Sequence, residues 1–249
     1  MSYCKSYSSP MAVKLSASST DDYPFSQPSF YRSLVRALQY LTLTSLDLAF
    51  TVNHACQFMQ APSNAHFENV KRLLQYLKGT LHHGLHFSSS PLHLTAFPDS
   101  NWAANVVDRR STTRYYVFLG PNLISWAAKR QQIVSQSSSE AKYGAFAQTS
   151  AKLSWIDMLL NELHISIPVP TLWCDNLSAI AMTHNPVFHA RTKHFEVDYH
   201  YVRERVVAKK LAICHIPFID HIVDIFTKPL CLAFNIFKAN FLSFLVLEV

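Results

Sequence analysis

The chain has 249 residues, 49% of them apolar, which is enough to bury one large domain or two small ones and too many for wholesale disorder. The formal net charge of +6 and a pI near 9.1 are compatible with a polyanionic partner. Five scattered cysteines without a Cys-x-x-Cys pair exclude a disulfide frame or a cysteine-based zinc site, and read as reduced thiols of an intracellular protein.

The opening "MSYCKSYSSPM" has no apolar h-region, so no signal peptide is expected. Residues 1–28 are rich in Ser, Pro and Tyr, lack periodicity, and are expected to be extended or disordered. From 29 to 88 the pattern is helical. Leu34, Leu38, Leu41 and Leu43 open one helix after Tyr31. "SNAHFENVKRLLQYLKGTL" forms a second, with Ser63 as N-cap, Val70, Leu73, Leu74 and Leu77 as the apolar stripe, and Gly79 as its stop.

The texture changes at Ser88–Pro91. His93–Phe97, Tyr115–Leu119 and Leu123–Trp126 read as strands, and Gly120–Asn122 makes a hairpin of the last two. Ser138 to Leu163 reads as a long helix, with Phe146, Ala147, Leu153, Ile156 and Leu160 at helical spacing. "TLWCD" at 171–175 is a short strand, followed by helices over Asn176–His184 and Thr192–Val206, a strand over 211–216 and a last helix over 220–228. That order predicts an α/β domain over 90–230, a mixed sheet flanked by helices. The apolar segment 231–249 is interrupted by Asn235, Lys238, Asn240 and Glu248, so it is expected to pack as a helix or tail and not to span a membrane.

Four acids fall at the mouths of these elements. Asp99 ends the first strand, Glu140 opens the long helix, Asp175 ends the fourth strand and Asp224 lies on the last helix. Taken singly, each is an ordinary cap or a solvated charge. Clustered at one sheet end they would repel, unless a hard cation such as magnesium neutralised them. Two such ions about 4 Å apart suit phosphodiester hydrolysis. Arg109, Arg110, Ser111 and Thr112 suit phosphate contact, with a solvated turn as the alternative. Lys193 and Arg203 lie among His189, His194 and His200, where phosphate contact or solvation outranks zinc. Trp102 and Trp126 read as core residues.

The sequence resembles the C-terminal part of the Pol polyprotein of copia-type LTR retrotransposons. "YRSLVRALQYLT", "VNHACQFMQAP" and "VKRLLQYLKGTLHHGL" are similar to the tail of that family's reverse transcriptase, which would make 29–88 thumb- or connection-like. "DSNWAANVVDRRSTTRYYVFLGPNLISWAAKRQQIVSQSSSEAKY", "LWCDNLSAIAMTHNPVFHARTKH" and "DIFTKPL" are similar to its ribonuclease H domain. The resemblance implies a ribonuclease H-like fold with strand order 3-2-1-4-5 and strand 2 antiparallel. It implies cleavage of the RNA strand of RNA/DNA hybrids with two Mg2+ ions, held by Asp99, Glu140, Asp175 and Asp224. Its partners would be the hybrid and the remainder of the polyprotein.

The chain departs from that pattern. The family's helix motif has two glutamates two residues apart; here they are Glu140 and Lys142. In related ribonuclease H enzymes the helix acid is followed by apolar residues at i+1, i+4, i+5 and i+8. Counting from 142 gives Tyr143, Phe146, Ala147 and Ser150; counting from 140 gives Ala141, Gly144, Ala145 and Gln148. The first set makes the better core face, so a metal ligand would have become an ammonium. Asn101 stands at the family's second strand-end aspartate. Arg36, Ala104, Arg114, Pro121 and Lys209 stand where the family has glycine, leaving four glycines in the chain, and Arg36 is expected to overpack a helix contact. No Tyr-x-Asp-Asp motif occurs, so no polymerase active site is expected. The alternative to a nuclease is therefore an inactive remnant that at most binds nucleic acid.

Overall fold

The computed structural model describes residues 4–11, 23–82, 84–85, 87–103, 108–184 and 196–217. It divides into two compact units, one holding the residues up to 86 and the other beginning at Phe87.

In the first unit, α1 (Pro28–Leu41) starts on a proline, which suits a first turn that needs no N–H partner. It buries Tyr31, Val35 and Leu38. Leu41 and Leu43, expected in that stripe, are 41% and 74% exposed, because the helix phase is set by Tyr31 and Val35. Arg36 faces solvent, so the expected overpacking does not arise. A short 3-10 turn (Leu46–Leu48) leads into α2 (Ala49–Cys56), an element absent from the sequence reading. The stretch read as one helix after Tyr31 is thus broken at Thr42–Ser45. α3 (Asn64–Gly79) begins at Ser63 as expected; the Ser63 hydroxyl accepts from the His66 N–H, and the His66 ring accepts from the Ser63 N–H at 3.0 Å. The buried Tyr76 hydroxyl donates to Asp47 Oδ2 at 2.6 Å and ties α3 to the 3-10 turn.

The second unit is a five-stranded sheet in the order β3-β2-β1-β4-β5, with β1 (Leu94–Asn101), β2 (Thr112–Leu119), β3 (Asn122–Arg130), β4 (Thr171–Cys174) and β5 (Ala212–His215). β2 runs antiparallel to both its neighbours, and β1, β4 and β5 pair in parallel. This is the ribonuclease H-like order that the resemblance implied. α4 (Ser138–Glu162) follows the hairpin, α5 (Leu177–His184) and α6 (Glu196–Val207) follow β4, and the helix expected over 220–228 lies outside the described residues.

Two boundaries differ instructively. β1 runs through Pro98 to Asn101 instead of stopping at Phe97; β4 pairs it only at Thr95 and Ala96, so Pro98 lies where a missing donor is tolerated. β2 starts at Thr112 instead of Tyr115 and β3 continues to Arg130 instead of Trp126, because Thr112, Thr113 and Arg114 pair with Arg130, Lys129 and Ala128. Gly120 turns the hairpin at φ +59°, and a Cβ there would sit 2.2 Å from Ser90 Oγ. The core forms where Tyr143, Phe146, Ala147, Leu153 and Ile156 of α4 meet Leu94, Ala96, Val117 and Leu172 of the sheet. Trp102 is not in it: the ring is 48% exposed and its N–H donates to Ser135 O at 3.0 Å.

Tyr76→Phe removes a donor from the buried Asp47 carboxylate and is expected to destabilise the helical unit by about 2 kcal/mol. Urea unfolding followed by circular dichroism measures the shift.

Candidate active site

The site lies where α4 meets the ends of β1 and β4. The N-terminus of α4 is fixed by Ser137, whose hydroxyl accepts from the Glu140 N–H at 3.1 Å. Glu140 Oε2 reaches back and accepts from the Gln136 N–H at 2.7 Å. The glutamate of the "SSSE" stretch is thus spent on the backbone N–H of Gln136, the residue just before the N-cap. Glu140 is not brought together with the strand-end aspartates, contrary to the ligand role expected of it. Two residues on, helical rotation aims position 142 at the sheet.

Lys142 fills that place. Its ammonium donates to Asp175 Oδ1 at 2.5 Å and Oδ2 at 2.6 Å, and lies 3.7 Å from Asp99 Oδ1. The three side chains are 16%, 11% and 9% exposed. Asp175 is available because Asn176 takes the capping role, its Oδ1 accepting from the Ala179 N–H at 2.8 Å. Burial alone would lower the Lys142 pKa. The Asp175 hydrogen bonds and the Asp99 and Asp175 charges outweigh it and hold the ammonium above the usual lysine value. Burial likewise pushes the neighbouring Cys174 thiol up to about 12, which leaves it an inert thiol.

A second cation lies close by. Arg114 sits directly opposite Asp99 in the β1–β2 register, so both side chains rise from one face of the sheet. Arg114 is 1% exposed. The Arg114 and Asp99 charges act in opposite senses on the Tyr116 phenol, whose pKa burial raises. Sequence reasoning noted Arg114 only as a lost glycine; its register with Asp99 was the missing signal.

The phosphate-contact candidates scatter. Asp108 pairs with Arg110 at 3.3 Å and with Arg130, so the acid of that turn absorbs its own cations. Arg109 is exposed, with φ 55°. Ser111 is fully buried and its hydroxyl accepts from the Ala103 N–H at 3.2 Å, a structural duty that removes it from any phosphate. Thr112 is half-buried on β2, flanked by Asn101 and Arg130. Arg203 is half-buried on α6, and its charge acts on the Tyr143 phenol. Asp224 and Lys193 lie outside the described residues.

A magnesium pair would need converging oxygens with no cation among them. Here an ammonium is seated on both oxygens of Asp175 and near Asp99, and among the described residues no three His, Cys, Asp or Glu side chains converge on a metal position. These residues do not fit the ions.

The retrovirus-related Pol polyprotein from transposon RE1 of Arabidopsis thaliana is 40% identical over 228 residues, covering 91% of this chain and 16% of its own length. That from transposon RE2 of the same plant is 41% identical over 230 residues, again 91% and 16%. The one from transposon TNT 1-94 of Nicotiana tabacum is 35% identical over 199 residues, 80% and 15%. The chain belongs to the Pol polyproteins of copia-type retrotransposons. It spans about 16% of the length of the first of these Pol relatives. No family model matches it. Among solved structures, LC11-RNase H1 in complex with an RNA/DNA hybrid is similar at 13% identity, over 51% of this chain and 88% of that one, with a TM-score of 0.39. No described helix of this Pol chain is long and apolar enough to cross a membrane.

Lys142→Met leaves Asp99 and Asp175 facing each other without the ammonium. It is expected to cost about 3 kcal/mol at pH 7. The folded lysine pKa is raised, so the Lys142 contribution is complete below the unfolded value of about 10.4 and is lost as pH rises through the folded one. The stability gap between wild type and Lys142→Met, measured by urea unfolding, should hold from neutral to mildly alkaline pH and close above it.

Proposed function

We propose that this chain is a ribonuclease H-like domain of a copia-type Pol polyprotein that grips nucleic acid but does not cut it. The observation that carries the reading is Lys142, with its ammonium on both oxygens of Asp175 and 3.7 Å from Asp99. A cation held covalently to α4 cannot be displaced by dissolved ions without leaving a lysine buried beside them. The aspartates assigned to catalysis by the resemblance, Asp99, Asp175 and Asp224, persist in the sequence. The helix carboxylate does not, since Glu140 is spent on the Gln136 N–H. Fold and charge support the retained part of the function: a ribonuclease H-like sheet and a net charge of +6, suited to the phosphates of an RNA/DNA hybrid. In this reading 29–88 is the tail of the reverse transcriptase, 90–230 the nucleic-acid-binding domain and 231–249 an apolar tail. The remainder of the polyprotein is its natural partner.

The test is magnesium-dependent cleavage of a labelled RNA/DNA hybrid by the purified chain, with magnesium binding followed by calorimetry. Wild type is expected to show neither cleavage nor binding heat. Lys142→Glu is expected to gain magnesium binding. Cleavage by wild type that Asp99→Asn abolishes would overturn the proposal.

A further inference from the structure

Outside the aspartate site, α4 and the outer strands leave an open groove. Tyr115 of β2, Lys129 and Arg130 of β3, and Gly144 and Gln148 of α4 line it, with Asp198 of α6 at its wall. Gly144 and Gln148 continue along one side of α4 into Lys152 and Trp155, at positions four, eight and eleven after the glycine. The Lys152 ammonium lies 4.0 Å from the centre of the Trp155 ring, and that ring is 55% exposed.

The charges of this groove are unevenly answered. Arg130 is spent on Asp108. Lys129 and Lys152 have no carboxylate within ion-pair distance among the described residues, whereas Asp108, Asp99 and Asp175 are all matched to cations. Lys129 lines the groove together with Gln148 and Ala151, and Lys152 directly follows Ala151 on α4. The Lys152 pKa lies below the usual lysine range, through burial first and then through the Lys129 charge. Two cations held near each other without an acid are stabilised by an anion arriving from outside. Asp198 adds one carboxylate at the groove wall, on α6, outside ion-pair distance of either lysine. The exposed amide of Gln148 adds neutral hydrogen-bonding capacity beside the two lysines.

We propose that Lys129 and Lys152 form a phosphate-binding site for a polynucleotide strand, with Trp155 holding the Lys152 ammonium in place. The inference rests on the nucleic-acid reading above and names the surface that carries it. None of the residues expected from sequence to contact phosphate belongs to it. It is separate from the aspartate pair, so it does not depend on whether Lys142 silences hydrolysis.

Affinity of the full chain for a labelled RNA/DNA hybrid and for single-stranded DNA, measured by anisotropy between about 50 and 200 mM salt, tests it. The Lys129→Ala/Lys152→Ala chain should bind both probes roughly tenfold more weakly. Its plot of log affinity against log salt should be shallower by about 2 than that of wild type. Lys152→Arg, which keeps the charge over the ring, should retain wild-type affinity. Lys129 is exposed in the groove and Lys152 is half-buried beside it, and thermal melts of the variants monitor folding. Wild-type affinity and slope in the double alanine chain would overturn the site while leaving the proposed function standing. Absence of binding by the wild-type chain itself would overturn the nucleic-acid grip as well.

Discussion

One ammonium organises the end of this sheet. Asp99 and Asp175 come from strands that are neighbours in space but 76 positions apart in sequence, and parallel pairing of β1 and β4 brings their ends together. Two carboxylates that are 9% and 11% exposed are costly as a pair, and something positive has to sit with them. The chain supplies that charge itself. Lys142 lies in the second turn of α4, near the helix end whose dipole favours anions, so its position is dictated by the aspartates and not by the helix. Part of the counter-charge of the site is built into the polypeptide: one ammonium answers two carboxylates.

The helix phase is what makes this possible. The core face of α4 is fixed by Tyr143, Phe146, Ala147 and Leu153, all buried. Once those residues meet Leu94, Ala96 and Leu172, positions 142 and 140 have no freedom to exchange roles. Position 142 points at the strand ends, and 140 turns back to the helix start. A glutamate one half-turn out of phase cannot serve the aspartates however close it is in sequence. The same rigidity leaves Glu140 beside the helix start, where it accepts from the Gln136 N–H.

Much of this was legible beforehand, and the reasons separate cleanly. The hairpin and the span of α4 follow from turn residues and hydrophobic periodicity, the sheet order follows from the family resemblance, and the structure matches all three. The apolar spacing of residues 143–150 favours position 142 as the one aimed at the sheet, while Glu140 is the residue expected to hold the ions; in the structure it is the Lys142 ammonium that lies by the aspartates. Other features depended on tertiary context. Arg114 reads only as the replacement of a family glycine, yet strand pairing buries it opposite Asp99. Ser111 looks like a phosphate ligand, yet its hydroxyl is needed by the Ala103 N–H. Leu41 and Leu43 look like core, yet α1 is phased on Tyr31 and Val35 and ends before the stripe can continue. In each case a residue type was read correctly and its direction was not, because direction is decided by a partner distant in sequence.

Arg114 extends the argument. Two positions beside Asp99 now carry cations: one on α4 in place of a carboxylate, and one on β2 in place of a glycine of the family pattern. They differ in consequence. Lys142 sits on the carboxylates directly, so changing it changes the charge of the site at once. Arg114 is almost wholly buried in the strand that faces Asp99, so its guanidinium is part of the local packing as well as of the local field. A site with a buried arginine at its flank remains more positive than a plain cluster of acids even when the helix position is returned to glutamate. Restoring one carboxylate therefore re-creates room for a cation without re-creating the full negative potential that would draw two. In this chain the aspartates find their counter-charge on the polypeptide itself, and the buried arginine at their flank adds a second positive charge that a single substitution at position 142 leaves in place.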